Sequence, residues 1–176
     1  MFVEFKNLRI RNATPEDAEQ LAIWWNNGKI MEHAGFPNGL GTTAEQVATQ
    51  IKGDNDLHRR LILDLDGIPV GEMSYYDQDG TTAEIGIKIC EFSLHNQGLG
   101  KKFLSMLISS LFHEYGYERV ILDTNLKNKR AQHVYERLGF HRIGVRENAW
   151  RDQLGEWNTV FDYELCKEDF VNFTKT

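Results

Sequence analysis

Proline is scarce in this chain, three residues in 176, and neither a low-complexity run nor an internal repeat accompanies it. A linker between two domains has nothing to be made of, so one domain over residues 1–176 is expected. Cysteine is scarcer still. Cys90 and Cys166 lie far apart, both in expected strands, which excludes a disulfide-stapled scaffold and fits reduced thiols in a cytoplasmic protein. No run of 18 or more apolar residues exists for a membrane span. Glu4, Lys6 and Arg9 break up the first ten residues, where a signal peptide needs an apolar stretch. Excess positive charge is missing too: Lys and Arg total 20 against 26 Asp and Glu, a formal charge of -6. Nucleic acid as the main partner would require a clustered basic surface and is disfavoured. The acidic balance suits a cationic substrate such as an amine, and serves solubility equally well. Six histidines show neither HExxH spacing nor a Cys-His cluster, so no metal site is expected.

What is present is a packed core: 41% of residues are hydrophobic, enough to bury roughly 70% of the unfolded surface at this length. Asn7 to Asn12 reads as a first strand. Thr14-Pro15-Glu16-Asp17 starts a helix, with Thr14 as N-cap, Pro15 in the first turn and two acids on the positive end of the dipole. Ala18, Leu21, Ala22 and Trp25 continue it at helical spacing. NNGKIMEHAGFPNGLG reads as loop, after which Thr42 or Thr43 caps a second helix through about Ile51. Arg60 to Leu65 and Ile68 to Tyr76 form a hairpin about Asp66-Gly67, a pair that tolerates positive φ. A turn at Gln78-Asp79-Gly80 leads into a strand from Thr81 to Cys90. The third helix runs from about Gly98 to Tyr115 with an apolar stripe of Phe103, Leu104, Leu107, Ile108, Leu111 and Phe112. Arg119 to Thr124 is a strand, Lys129 to Leu138 a helix closed by Gly139, and two last strands flank Asp152-Gln153-Leu154-Gly155. The order implies an α/β (α+β) fold, a mixed sheet with helices on both faces.

The chemistry concentrates between Ala83 and Phe140. Gly98-Leu99-Gly100 at the mouth of a helix offers bare backbone N–H groups beside the positive end of the dipole, an arrangement that suits phosphate. Taken alone, such a loop is also a common way to start a helix tightly against a sheet. Downstream, Asn128-Lys129-Arg130-Ala131 supplies a polar cap, and Tyr135, seven residues on, places a phenol two turns later on the same side. An anion cradle next to a proton donor points to transfer chemistry with a phosphorylated cofactor. Asn128 is a preferred N-cap with or without a ligand, and Tyr135 beside Val134 and Leu138 has the alternative of a plain core aromatic. Glu84 shares a strand face with Gly86 and Lys88, where it is either a solvent-facing residue or a base.

In order and spacing the chain closely resembles the GNAT superfamily of acyl-coenzyme A N-acetyltransferases, over nearly its whole length and most strongly from Ala83 to Phe140. The resemblance implies a mostly antiparallel sheet whose central strands splay after Glu84 to admit a pantetheine arm. It implies acetyl-CoA as donor, with backbone groups of Lys88, Ile89 and Cys90 on that arm and one N–H polarising the acetyl carbonyl. It places His95, Asn96, Gln97, Gly98, Leu99 and Gly100 around the pyrophosphate, Lys101 and Lys102 as nearby charge, and Asn128 on the cofactor. The family's loop opens with Arg or Gln, and His95 stands in that place. Tyr135 becomes the acid that protonates the leaving thiolate, and Glu84 the base that deprotonates the ammonium. Cys90 is no acylated nucleophile, because the family transfers directly to the amine. Trp24-Trp25, Glu32, His33 and Phe36 fall where the superfamily shapes its acceptor pocket, and the segment is similar to branches acting on aminoglycosides, polyamines or protein N-termini. By analogy, the strands after Gly139 often pair across a homodimer. The rival implication is a non-catalytic acyl-CoA-binding sensor or interaction domain on the same fold. Against it, a binding module has no use for a thiolate acid.

Overall fold

The computed structural model describes residues 1–175 and contains one eight-stranded sheet. Strands β1 (Phe2–Phe5), β2 (Leu8–Asn12), β3 (His58–Leu65), β4 (Ile68–Asp77), β5 (Thr82–Ile89), β6 (Arg119–Asn125), β7 (His141–Arg151) and β8 (Trp157–Cys166) pair in the order β1-β2-β3-β4-β5-β6-β8-β7. Every pairing is antiparallel except β5 with β6, the pair joined by a helical crossover, which parallel strands require. The sheet is thus mixed, as the element order implies, and mostly antiparallel, as the resemblance implies. β1 is an addition to the expected order. It is a four-residue edge strand, exposed on alternate positions, held by a tight turn in which Lys6 takes φ 55°. So short a run carries little apolar signal of its own.

Three helices cover one face of the sheet. α1 (Ala18–Trp25) follows a 3-10 turn at Pro15–Asp17, where the Thr14 N–H donates to Asp17 (2.8 Å). Arg11 holds that same carboxylate with two N–H groups at 2.8 and 2.9 Å, tying the turn to β2. α2 (Gly28–Met31) is a single turn inside the stretch that reads as loop, nucleated by the Asn27 side chain accepting from the Lys29 N–H. Four residues are too few for a periodic signature. α3 (Ala44–Lys52) is capped by Thr43 rather than Thr42, through a reciprocal box with Gln46. Leu21, Trp24, Trp25, Val47 and Ile51 pack there against Ile62 of the sheet.

α4 (Leu99–His113) and α5 (Lys129–Leu138) cover the other face. Phe103, Leu104, Leu107, Ile108 and Leu111 of the expected stripe are all 0–1% exposed and meet Leu61, Leu63, Met73, Ala83 and Ile85 of the sheet. α5 ends at Gly139 with φ 99°, and a Cβ there would collide with the Asp169 carbonyl. Only glycine satisfies both demands. Among the described residues no helix is long and apolar enough to cross a membrane.

Candidate active site

β5 and β6 begin side by side, with Thr82 opposite Arg119, Ala83 opposite Val120 and Glu84 opposite Ile121. There the pairing stops, although β5 continues to Ile89 and β6 to Asn125. A wedge therefore opens at the middle of the sheet, immediately after Glu84, while β5 stays paired with β4 as far as Ile89. Backbone donors and acceptors alternate sides along a strand. The Cys90 N–H donates to the Val70 carbonyl of β4 at 2.8 Å, so the peptide groups of Ile87 and Ile89 are the ones that face the wedge. Burial, followed by the nearby Glu72 carboxylate, pushes the Cys90 thiol far above its ordinary range, which leaves it inert as a nucleophile.

The loop from His95 to Gly100 closes the wide end of the wedge. Asn96 (φ 62°) and Gly98 (φ 75°) both take left-handed backbone, turning successive N–H groups toward a common side before α4 starts at Leu99. The Gln97 amide ties the loop back to the Ser93 carbonyl at 2.8 Å. A Cβ on Gly98 would meet nothing within 4 Å, and one on Gly100 only the Ile89 side chain at 4.0 Å. Protein packing does not fill the space above these glycines. Lys101 is drawn off toward the C-terminal segment, its ammonium 3.9 Å from the centre of the Phe173 ring.

On the far side of the wedge, the Asn128 side chain accepts from the Ala131 N–H (3.2 Å) and caps α5. Its amide nitrogen has no partner among the described residues. Tyr135 is 7% exposed, its ring between Phe140 and Tyr163 with both centroids 5.8 Å away. Burial, then the charge of Asp123 and the neighbouring Tyr163, drives its phenol well above the ordinary value of 10, so the group keeps its proton across all physiological pH.

The face under α1 and α2 carries the acids. Glu84 shares it with Asp123 of β6 and Asp162 of β8, by the strand register. Arg146 of β7 donates to Asp123 at 2.7 Å and to Asp162 at 2.8 Å from each of two nitrogens. Glu84 is exposed as a residue and accepts from the Gln78 amide at 2.7 Å. Partial desolvation of its carboxyl, then the Asp123 charge, raises its pKa, offset by Arg146.

Three groups escape a reading by residue spacing. Glu72 of β4 is 8% exposed, yet it accepts from the Trp25 indole N–H at 2.8 Å and the Lys88 ammonium at 3.2 Å. Its only signal in the sequence is a carboxylate between apolar neighbours, Val70 and Met73, within a strand. Trp150 packs its ring on Gly35, whose φ of 95° and lack of a Cβ make the contact fit. Gln153, in the β7–β8 turn, accepts from the Asn38 N–H (2.8 Å) and donates to the Gly39 carbonyl (3.0 Å). Together Trp150 and Gln153 tie the loop that follows α2, from Gly35 to Gly39, to the β7–β8 hairpin. Among the described residues no group of three potential metal ligands occurs.

A family model described as an acetyltransferase (GNAT) domain matches residues 7–141. The aminoglycoside N(6')-acetyltransferase type 1 of Klebsiella pneumoniae is 25% identical over 154 residues, covering 79% of this chain and 76% of that protein. Among solved structures, spermidine N-acetyltransferase from Vibrio cholerae, in complex with CoA and spermine, superposes with a TM-score of 0.84 at 17% identity, over 94% of this chain and 99% of the other. RimL, a ribosomal L7/L12 alpha-N-protein acetyltransferase in complex with coenzyme A, gives 0.83 at 16% identity over 94% and 98%. At such identities the superpositions speak for the fold. The family model carries the assignment: with most of its length matched and a sheet split after Glu84, the chain belongs to the GNAT family of acetyltransferases.

Proposed function

We propose that the chain is a cytoplasmic, single-domain N-acetyltransferase that passes an acetyl group from acetyl-CoA directly to a primary amine. The observation that carries this reading is the end of β5–β6 pairing at Glu84, which opens a slot with the proton-handling groups beside it. The chain's residues fit the donor. The space above Gly98 and Gly100 is free for phosphate, the left-handed Asn96 and Gly98 turn N–H groups toward it, and the free Asn128 amide flanks the arm. Acetyl-CoA supplies an acyl group already activated as a thioester.

The chain's own groups then do three things. The Ile89 N–H, facing the wedge between Lys88 and Cys90, donates to the acetyl oxygen as negative charge grows there. Glu84 takes a proton from the arriving ammonium, directly or through water, because an ammonium has no lone pair with which to attack. Its raised pKa makes it a better acceptor for that proton than an ordinary carboxylate. As the C–N bond forms and the C–S bond breaks, Tyr135 gives its phenolic proton to the departing sulfur.

The acceptor is a cationic amine. Glu84, Asp123 and Asp162 outnumber Arg146 on the face beside the wedge, and the named relatives act on an aminoglycoside, a polyamine and a protein terminus. The two free thiols suit a reducing compartment. β7 is an edge strand with Ile143 and Val145 exposed, and pairing of two such edges would give the homodimer. A monomer in sedimentation velocity at micromolar concentration would remove that element alone.

The test is a screen of polyamines, aminoglycosides and peptide amines for amine-dependent release of free CoA. Release with at least one amine is expected. Tight CoA binding with no release for any amine would favour a sensor domain, and failure to bind CoA by titration calorimetry would overturn the reading.

A further inference from the structure

His95 opens the glycine loop, and both of its ring nitrogens are engaged. Its Nδ1 lies 2.6 Å from an Arg130 guanidinium nitrogen, and its Nε2 lies 2.8 Å from the Ile89 carbonyl. Arginine has donors and no acceptor, and a carbonyl only accepts. The imidazole is therefore neutral, receiving from Arg130 at Nδ1 and donating from Nε2–H to Ile89. This two-bond bridge spans the wedge from α5, beyond β6, to the last residue of β5.

Arg130 is otherwise unclaimed. Among the described residues no carboxylate lies within 4 Å of it, although the chain carries 26 acids. An exposed guanidinium normally wanders in solvent at no cost, so an anchor at 2.6 Å that neutralises nothing is a device for placement. The place is the rim of the loop whose glycines leave open space. A single bond to His95 uses one of five N–H donors, and the other four remain for planar, two-pronged recognition of an anion. Of the two lysines offered for this purpose, Lys101 and Lys102, the first is occupied by Phe173.

We propose that Arg130 is the phosphate-binding cation of the acyl-donor site, and that His95 is the positioning residue that aims it. This rests on the CoA reading above and adds a residue to it.

Titration calorimetry and steady-state kinetics on the full chain separate the possibilities, with acetyl-CoA and S-acetylpantetheine as donors. The second donor keeps the thioester and arm but lacks every phosphate. Arg130→Gln is expected to weaken CoA binding about tenfold or more, the usual scale for a charged hydrogen bond, and to raise KM for acetyl-CoA. It should leave kcat, the melting temperature and the rate with S-acetylpantetheine unchanged. Arg130→Lys, which keeps charge without the fork, should recover part of the affinity. His95→Ala should weaken CoA binding in the same way, and adding it to Arg130→Gln should weaken binding no further. Wild-type affinity in Arg130→Gln, or an equal loss with S-acetylpantetheine, would overturn the role of Arg130 while leaving the CoA reading intact. Additive losses in the double variant would overturn the positioning role of His95. Absence of CoA binding by the wild type would remove the CoA reading and this proposal together.

Discussion

Tyr135→Phe isolates one hydroxyl. The ring is buried between Phe140 and Tyr163, and the substitution preserves both contacts. The hydroxyl donates to no group among the described residues, so no hydrogen bond is forfeited. Stability should therefore change by no more than about 0.5 kcal/mol, a shift of roughly 1–2 °C in Tm for a chain of this size. Turnover should fall about 10²-fold, or roughly 2.7 kcal/mol of barrier, the scale of losing one general acid. CoA affinity should not change. Because burial, Asp123 and Tyr163 raise the phenol, the wild-type rate should hold level past pH 9 instead of falling as an ordinary tyrosine ionises. The same shift enters stability. Above about pH 10 the unfolded tyrosine loses its proton while the folded one resists, so stability declines with further rise in pH, and the Phe variant should decline less steeply. The assay is thiol release with a confirmed amine under conditions where chemistry limits the rate, checked by single turnover. An unchanged kcat there would return Tyr135 to a purely structural role.

Glu84→Gln should remove the rising limb that a base with an elevated pKa imposes on the pH–rate profile, with the deficit greatest at low pH and partly rescued at high pH; superimposable profiles would take Glu84 out of the mechanism. Should Glu84 serve only to attract a cationic acceptor, KM would rise at every pH while kcat stayed level. Gly98→Val should abolish the thermal shift given by acetyl-CoA, since it fills open space at a left-handed position; a normal shift in a folded variant would move the phosphate site elsewhere. Gly139→Ala should cost about 2 kcal/mol or more, lowering Tm by roughly 4–8 °C, from positive φ and the clash with Asp169. A Tm within 1 °C of wild type would mean that α5 and the chain beyond Leu165 separate at little cost.

Local chemistry is legible in this sequence wherever a device is completed within a few residues. Thr43 and Gln46 close a box three residues apart, the α4 stripe repeats at helical spacing, Asn128 caps α5 three residues ahead of its donor, and Gly139 ends it. The Gly98–Gly100 loop and Tyr135 belong to the same class. Their placement follows from spacing along one strand or one helix, which the covalent chain enforces. β1 and α2 fall below that threshold because four residues do not establish a period.

Tertiary structure alone decided what each device faces. Glu72 looks like an ordinary strand polar residue until Trp25, 47 positions away, donates to it. His95 looks like an ordinary loop position until Arg130, 35 positions on, and the Ile89 carbonyl are found against its two ring nitrogens. Nor does any run of residues say that β5 and β6 part after Glu84. Parting is a property of two strands whose directions are set by what packs on each, α4 and α5 on one face and the Trp25 layer on the other. Sequence spacing determined which local devices this protein carries, because the covalent chain enforces them; only the sheet, by bringing distant strands together and then letting two of them separate, decided that the strand carrying Glu84 and the strand ahead of Asn128 flank one opening.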